Sequence, residues 1–185
     1  MKISEWKIIN SKLLLKTRLF SVFEEKSISP RNHKEGSFLI FNFSDWVNVI
    51  AVTPEKEIVM IRQFRHGNKR IELEIPGGLM DNIDKNPIEA GLRELKEETG
   101  FSGEKAFLIG SVYPNPALQN NQCHTILVLN AKKSSETNLE DCEDIETLLI
   151  HEDKLNSMIL NGEIRHSIVL NAIQLYFLKK KELVL

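Results

Sequence analysis

Three glutamates lie close together in the segment GLRELKEETGF, residues 91–101. On a helix, Glu94 and Glu98 lie one above the other on the same face, and Glu97 lies beside them. Their mutual repulsion costs free energy unless a cation compensates it. Mg²⁺ takes oxygen ligands and typically shares them with substrate phosphates. The spacing indicates either a divalent-metal site or an exposed helix face held by ion pairs such as Arg93 with Glu97.

The surrounding sequence predicts the elements that position these acids. Asn86 is typical of an N-cap, Pro87 suits the first helical position, and Glu89 completes a capping-box pattern. Gly100 stands where a helix C-terminus favours a left-handed residue. Upstream, the run RIELEIPGGLMD predicts a strand that ends in a turn at Gly77–Gly78, where bare backbone can approach a ligand. A strand, a glycine turn and a capped helix with converging acids favour the site over the charged surface.

The rest of the chain predicts a mixed α/β fold. Short β runs fill residues 1–45, and WVNVIAVTP and EIVMIRQF predict a hairpin. Further strands are predicted in HTILVLNA and ETLLIHE, and helices near DKLNSMILNG and HSIVLNAIQLYFLKK.

Composition narrows the functional classes. The chain has 185 residues, of which 42% are hydrophobic, and a net charge of −2 gives no electrostatic reason to expect a nucleic-acid partner. The start, MKISEWKIIN, lacks the pattern of a signal peptide, and no apolar run is long enough to span a membrane. Only two cysteines occur, Cys123 and Cys142, which is typical of a reduced compartment. We therefore expect a soluble cytoplasmic protein without a nucleic-acid or membrane partner.

The segment GGLMDNIDKNPIEAGLRELKEETGF, residues 77–101, resembles the Nudix box, G-x5-E-x7-R-E-U-x-E-E-x-G-U, in which U is an aliphatic or aromatic residue. The second half, RELKEETGF, fits at every defined position. The first half departs from the pattern, because the spacing from Gly78 to Arg93 is one residue longer. The first glutamate position of the box falls on Lys85, with Asp84 adjacent.

The resemblance extends upstream of the box. Residues 46–78 resemble Nudix hydrolases of the ADP-ribose pyrophosphatase group, in which an N-terminal β segment forms a small dimerising subdomain. The resemblance implies a Nudix-type α/β/α sandwich over residues 46–185, a small N-terminal antiparallel β subdomain over residues 1–45, and a homodimer. Pro116 stands sixteen residues after Gly100, a spacing similar to that of a proline associated with ADP-ribose-type substrates.

The resemblance also implies the metal site. Glu94 and Glu98 would be the principal Mg²⁺ ligands, with Mn²⁺ as a substitute, and Glu97 would be a ligand or would support one. The carbonyl of Gly77 would add a backbone oxygen. Arg93 would orient the carboxylates by charge-assisted hydrogen bonds.

A general base is expected on the acidic loop LEDCEDIE, because relatives carry a glutamate on a loop in this region. Glu143 is the predicted base, with Glu140 and Glu146 as alternates. None of the five histidines is predicted to be a ligand.

Substrate contacts are expected from residues outside the box. Arg65 would hold the pyrophosphate, because a guanidinium matches phosphate oxygens. Glu74 would meet a ribose or a metal-bound water. A base needs an aromatic face to stack on, and Trp46, Trp6 and Phe20 are the candidates.

These residues predict Mg²⁺-dependent hydrolysis of ADP-ribose or another nucleoside diphosphate sugar to a nucleoside monophosphate and a sugar phosphate. Two alternatives remain open at this point. One is a Nudix hydrolase of dinucleoside polyphosphates or RNA 5′ ends, against which the charge argues. The other is a non-catalytic nucleotide-sugar sensor, against which the intact acids of the box argue.

Overall fold

The computed structural model describes residues 3–183 and divides the chain into two compact units. The first unit contains the residues up to Ser44 together with Tyr113–Gln122, and the second contains Asp45–Val112 with the residues from Cys123 onward. Among the described residues, no helix is long and apolar enough to cross a membrane.

The first unit is built on a three-stranded antiparallel sheet in the order β1-β2-β3. The strands are β1 (Lys7–Lys16), β2 (Phe20–Ile28) and β3 (Glu35–Phe43). The edge strand β1 is exposed along its whole length. The Phe41 N–H donates to the Leu118 carbonyl at 2.7 Å, which ties the segment 113–122 to β3. The predicted N-terminal antiparallel β structure is confirmed.

The second unit is built on a seven-stranded mixed sheet. Its strands are β4 (Trp46–Val52), β5 (Glu57–Arg65), β6 (Arg70–Glu74), β7 (Gly77–Leu79), β9 (Lys105–Val112), β10 (Cys123–Leu129) and β12 (Ile145–His151), and β8 (Phe101–Ser102) forms a separate pair with β11 (Lys132–Lys133). The order is β12-β5-β4-β10-β9, with β6 added to β5 and β7 added to β4. Strands β4 and β10 are parallel, and the other neighbours are antiparallel.

Helices cover both faces of this sheet. They are α1 (Pro87–Thr99), α2 (Leu155–Leu160) and α3 (Ser167–Leu183). Alternating residues of β4 point to opposite faces, as the two-residue period of a strand requires. Val49 belongs to the same buried cluster as Leu95 of α1, whereas Ile50 belongs to the cluster that contains Ile173 of α3. The predicted mixed α/β architecture is confirmed.

One local prediction is wrong, and one strand was missed. Gly77–Gly78 is not a turn, because Gly77–Leu79 is the short strand β7, paired with β4. A Cβ on Gly77 would lie 2.3 Å from the Val47 carbonyl oxygen, so this close pairing requires glycine. Strand β9 was not predicted, although it pairs along β10.

Candidate active site

Local sequence signals fix the ends of α1, the helix that carries the acids. The Asn86 carboxamide oxygen accepts hydrogen bonds from the N–H groups of Ile88 and Glu89, both at 3.0 Å. At the other end Gly100 has a φ of 71°, the left-handed conformation expected of a glycine cap. The predicted caps are confirmed, except that Glu89 accepts from the Lys85 N–H at 3.2 Å instead of completing a capping box with Asn86.

Glu98 is the most deeply buried acid of the helix, with only 3% of its surface exposed. The Gly77 N–H donates to its Oε2 at 2.9 Å. Burial raises the pKa of Glu98 to about 8; the bond from Gly77 lowers it in part, and the charge of Glu94 adds to the rise. Glu98 is therefore mostly protonated at neutral pH, and a bound cation would favour its ionised form.

Glu94 lies beside Glu98 and against the backbone of β7. A Cβ on Gly78 would lie 2.5 Å from Glu94 Oε1, so the carboxylate occupies the space that any other residue would fill. Burial raises the pKa of Glu94 to about 7, although the charge of Arg93 opposes the rise. The two glycines of β7 thus position two acids. The N–H of Gly77 donates to Glu98, and the missing side chain of Gly78 leaves space for the Glu94 carboxylate.

Arg93 joins the acids into one network. Its Nη1 donates to Glu94 at 2.9 Å and to Glu97 at 3.0 Å. Its Nε and Nη2 donate to the two carboxylate oxygens of Asp84 at 3.1 and 2.9 Å, and Nη2 also donates to the Leu79 carbonyl at 3.2 Å. The contact with Asp84 is the main cause that raises the pKa of Arg93. Asp84 was noted in the sequence only as a neighbour of the expected glutamate position, and its partnership with Arg93 was not predicted.

Glu143 lies on the loop between β11 and β12 and is half-buried. Burial is the main cause that raises the pKa of Glu94 and of Glu98, and the charge of Glu143 adds to both shifts. The pKa of Arg65 is raised chiefly by Glu74, and Glu143 contributes there as well. The charge of Glu143 therefore acts on both the acids of α1 and Arg65, although Glu143 is far from them in the sequence.

The two alternates for the general base lie in different surroundings. Glu140 is exposed, and its N–H donates to the Glu143 carboxylate at 2.9 Å. Glu146 lies on β12 and pairs with Arg62 at 3.3 Å, with both side chains about half exposed or more. Neither is among the main causes that raise the pKa of Glu94 or of Glu98.

Arg65 is held by Glu74 at the end of β5. Its Nε and Nη2 donate to the two carboxylate oxygens of Glu74 at 2.9 and 2.6 Å. Burial raises the pKa of Glu74, but the contacts from Arg65 and His166 outweigh it and lower the pKa to about 2. Glu74 is thus an ionised, buried carboxylate that orients Arg65, and its own contact with substrate stays a prediction.

The remaining candidates are spread over both units. Trp46 is half-buried at the start of β4 in the second unit. Pro116, Trp6 and Phe20 belong to the first unit. The Trp6 ring makes an edge contact with Phe38 at 5.4 Å. Their roles toward a substrate stay predictions.

The residues present fit a divalent metal of the Mg²⁺ type. Within residues 3–183 no three acid, histidine or cysteine side chains form a ready-made ligand cage. Arg93 donates to both Glu94 and Glu97, and Glu94 and Glu98 are buried together with raised pKa values. Mg²⁺ commonly takes only one or two carboxylates and completes its shell with waters and substrate phosphates. A pair of buried carboxylates beside an arginine suits that mode of binding.

Comparisons with known proteins identify the family. The NUDIX domain model matches residues 44–169. The ADP-ribose pyrophosphatase of Bacillus subtilis (strain 168) is 29% identical over 185 residues, which covers 97% of each chain. The ADP-sugar pyrophosphatase of Mus musculus is 37% identical over 89 residues, which covers 46% of this chain and 40% of the relative. The crystal structure of an ADP compounds hydrolase superposes with a TM-score of 0.85 at 17% identity and covers 98% of this chain and 97% of that one, so the predicted Nudix-type fold is confirmed. The chain belongs to the Nudix family.

Proposed function

We propose that this Nudix enzyme hydrolyses the pyrophosphate bond of ADP-ribose or another nucleoside diphosphate sugar, in a Mg²⁺-dependent reaction that yields a nucleoside monophosphate and a sugar phosphate. One observation carries the proposal: two buried carboxylates with raised pKa values, Glu94 and Glu98, share their surroundings with Glu143 and with Arg65. Acids with perturbed pKa values next to a phosphate-binding arginine are typical of catalytic sites. The names of the relatives support the same class of substrate.

Mg²⁺, or Mn²⁺ in its place, would be held by Glu94 and Glu98, with Glu97 and the Gly77 carbonyl as further candidate ligands. When bound, the metal neutralises phosphate charge and makes a coordinated water more acidic. Arg93 keeps Glu94 and Glu97 in position through its two hydrogen bonds from Nη1.

Glu143 is the proposed general base. It takes a proton from the attacking water, whose oxygen forms a new bond to one phosphorus atom. The bond from that phosphorus to the bridging oxygen breaks, and the leaving phosphate keeps the electron pair. Arg65 stabilises the charge that develops on the phosphate oxygens, because its orientation is already fixed by Glu74.

The proposal includes further substrate contacts and the state of assembly. Trp46 would stack on the base, Pro116 would be a substrate-binding residue, and Glu74 would contact a ribose or a metal-bound water. We also propose a cytoplasmic homodimer without a nucleic-acid or membrane partner. The long exposed edge strand β1 supports the dimer, because an edge strand with exposed apolar side chains favours association.

The comparisons do not favour the alternatives. Neither a hydrolase of dinucleoside polyphosphates or RNA 5′ ends nor a non-catalytic sensor is named among the relatives described above. The test is a panel of nucleoside diphosphate sugars and dinucleoside polyphosphates, incubated with the protein and Mg²⁺ and analysed for nucleoside monophosphate. We expect turnover of ADP-ribose or a related sugar nucleotide, abolished by excess chelator. Turnover confined to dinucleoside polyphosphates, or none with any substrate, would contradict the proposal.

A further inference from the structure

Two acids of β6, Glu72 and Glu74, are buried, with 4% and 2% of their surfaces exposed. Both point to the same side of the strand, since residues two apart share a face. Each lies beside basic side chains that reach toward solvent. Glu74 holds Arg65, and Glu72 lies 3.5 Å from Nε of Arg165.

A third basic group, His166, completes the arrangement. Its Nδ1 lies 3.2 Å from Glu74 Oε2, the same oxygen that accepts from Nη2 of Arg65 at 2.6 Å. Arg65 already donates to both oxygens of Glu74, and His166 is a second basic neighbour of the same carboxylate. Arg165 precedes His166 in the chain and therefore lies beside it. Arg65, Arg165 and His166 together are called the basic rim.

The two arginines of the basic rim have nitrogen donors that make no hydrogen bond within the described residues. Glu74 occupies Nε and Nη2 of Arg65, and within residues 3–183 Nη1 makes no hydrogen bond. In the same part of the chain, Nη1 and Nη2 of Arg165 are likewise without a hydrogen-bond partner, and its side chain is 49% exposed. The Arg65 guanidinium, oriented along one edge by buried Glu74, offers its other edge to a phosphate at little further entropic cost.

We propose that Arg165 and His166 join Arg65 to bind phosphate oxygens of a nucleoside diphosphate group. This inference rests on the proposed function for the identity of the natural substrate. The sequence alone does not connect Arg165 and His166 with this strand, because they follow Glu74 by about ninety residues. Only the fold brings them to β6.

The test compares Arg165→Gln with Arg62→Gln. Arg62 is a matched control, because its side chain is 48% exposed and pairs with a single carboxylate, that of Glu146 on β12. Isothermal titration of each variant with inorganic pyrophosphate measures binding without turnover. We expect Arg165→Gln to weaken pyrophosphate binding about tenfold, since a hydrogen bond to a charged group is lost, and Arg62→Gln to change it less than about twofold. His166→Gln should weaken binding as well, by a smaller factor.

Kinetics with ADP-ribose provide the second measurement. Arg165→Gln should raise KM by about the same factor and leave kcat nearly unchanged, because the lost contact binds ground state and transition state alike. Arg165→Lys should recover only part of the loss, because lysine keeps the charge without the planar fork.

Three results would contradict phosphate binding by the basic rim. They are no measurable binding of pyrophosphate to the wild type, wild-type affinity in Arg165→Gln, and equal weakening of binding in Arg62→Gln. These outcomes are distinct from failure of the proposed function. If pyrophosphate binds through Arg165 but no sugar nucleotide is hydrolysed, the proposed function is wrong and phosphate binding by the basic rim is supported. If Arg165→Gln hydrolyses ADP-ribose with a wild-type KM, phosphate binding by the basic rim is contradicted and the proposed function is supported.

Discussion

Asp84 holds Arg93 through both of its carboxylate oxygens, at 3.1 and 2.9 Å, and its own side chain is only 4% exposed. The same guanidinium donates to Glu94 and Glu97 from Nη1. Arg93 is therefore held by Asp84 along one edge, and its remaining donors position Glu94 and Glu97. The hydrogen bonds from Arg93 are the main cause that lowers the pKa of Asp84, so the Asp84 carboxylate is ionised at neutral pH.

Asp84→Ala should lower turnover because Arg93 loses the partner that fixes its orientation. We expect kcat to fall about tenfold, equivalent to about 1.4 kcal/mol of transition-state stabilisation. The free energy of unfolding should fall by about 1–3 kcal/mol, since a largely buried cation loses two hydrogen bonds. Asp81→Asn is the matched control, because Asp81 is 63% exposed and lies 3.8 Å from Arg93. Equal effects of the two variants on kcat and on urea unfolding would contradict the assigned role.

Gly78→Ala should displace Glu94. The new Cβ would lie 2.5 Å from Glu94 Oε1, so the carboxylate or strand β7 must move. Overpacking of this kind typically costs about 1–3 kcal/mol of stability, and kcat should fall with it. The control is Gly67→Ala, because a Cβ at Gly67 meets no atom within 4 Å. Thermal unfolding and steady-state kinetics of both variants measure the difference, and wild-type kcat in Gly78→Ala would show that the close approach has no catalytic role.

Features coded by neighbouring residues could be predicted from the sequence. The ends of α1 depend on Asn86 and Gly100, which act on backbone groups within one helical turn. The convergence of Glu94 and Glu98 depends only on the helical period. The alternating apolar runs of the strands predicted the sheet for the same reason.

Features that depend on distant pairing could not be predicted in this way. Gly77–Leu79 looked like a turn, because its partner strand β4 lies about thirty residues upstream and nothing local encodes the ladder. Asp84 stands one residue before the position where the Nudix pattern has its first acid, so only the coordinates could show that it reaches Arg93. The link between Glu74 and His166 depends on how the start of α3 packs beside β6, which no local periodicity reports.

We expect a homodimer that depends on β1. Leu14 on this strand is 49% exposed, and full burial of a leucine stabilises an interface by about 1.5–3 kcal/mol. Light scattering at micromolar concentration should give twice the monomer mass of 21.2 kDa. Leu14→Glu should shift the population toward monomer, whereas Asn10→Glu, a change at an exposed polar residue of the same strand, should not. A wild type that is monomeric at these concentrations would contradict the dimer.

Glu152 should make the free energy of unfolding depend on pH in the acid range, below the ordinary carboxyl pKa of 4.5. It is 3% exposed; its Oε2 accepts from the Tyr176 hydroxyl at 2.5 Å and its Oε1 from the Lys180 ammonium. Burial raises its pKa, but these two donors outweigh burial and lower the pKa below the ordinary value of 4.5. The contribution to stability is therefore present above pH 4.5 and is lost as the pH falls through the lowered pKa.

Glu152→Gln tests this dependence, because the amide keeps the shape and cannot ionise. The melting temperature of the wild type should exceed that of the variant at pH 7, and the gap should narrow as the pH falls below about 4.5. Glu163→Gln, at an exposed residue, provides the control for loss of one negative charge. A gap that is constant between pH 3.5 and pH 7 would show that the charge of Glu152 is not what the two donors stabilise.

Glu98→Gln separates a catalytic acid from a charged helix face. The amide has the shape of the acid but is a poor ligand for a divalent metal, so the phosphoryl charge of the transition state loses its compensation. Loss of such electrostatic stabilisation typically lowers kcat by ~10²–10³. Glu89→Gln, at an exposed position of the same helix, should leave kcat within about twofold.

The stability of Glu98→Gln should move in the opposite direction from its activity. Burial raises the pKa of Glu98 to about 8, so in the metal-free protein at pH 7 the acid is mostly neutral and the amide copies it. A group with a raised pKa contributes stability that is lost as the pH rises through that pKa. The melting temperature of the metal-free variant should therefore match the wild type near pH 6 and exceed it near pH 9. An exposed ion-pair face predicts unchanged kcat and a change in stability of at most about 0.5 kcal/mol at either pH. Near-native kcat of Glu98→Gln with saturating Mg²⁺ would remove Glu98 from the catalytic site.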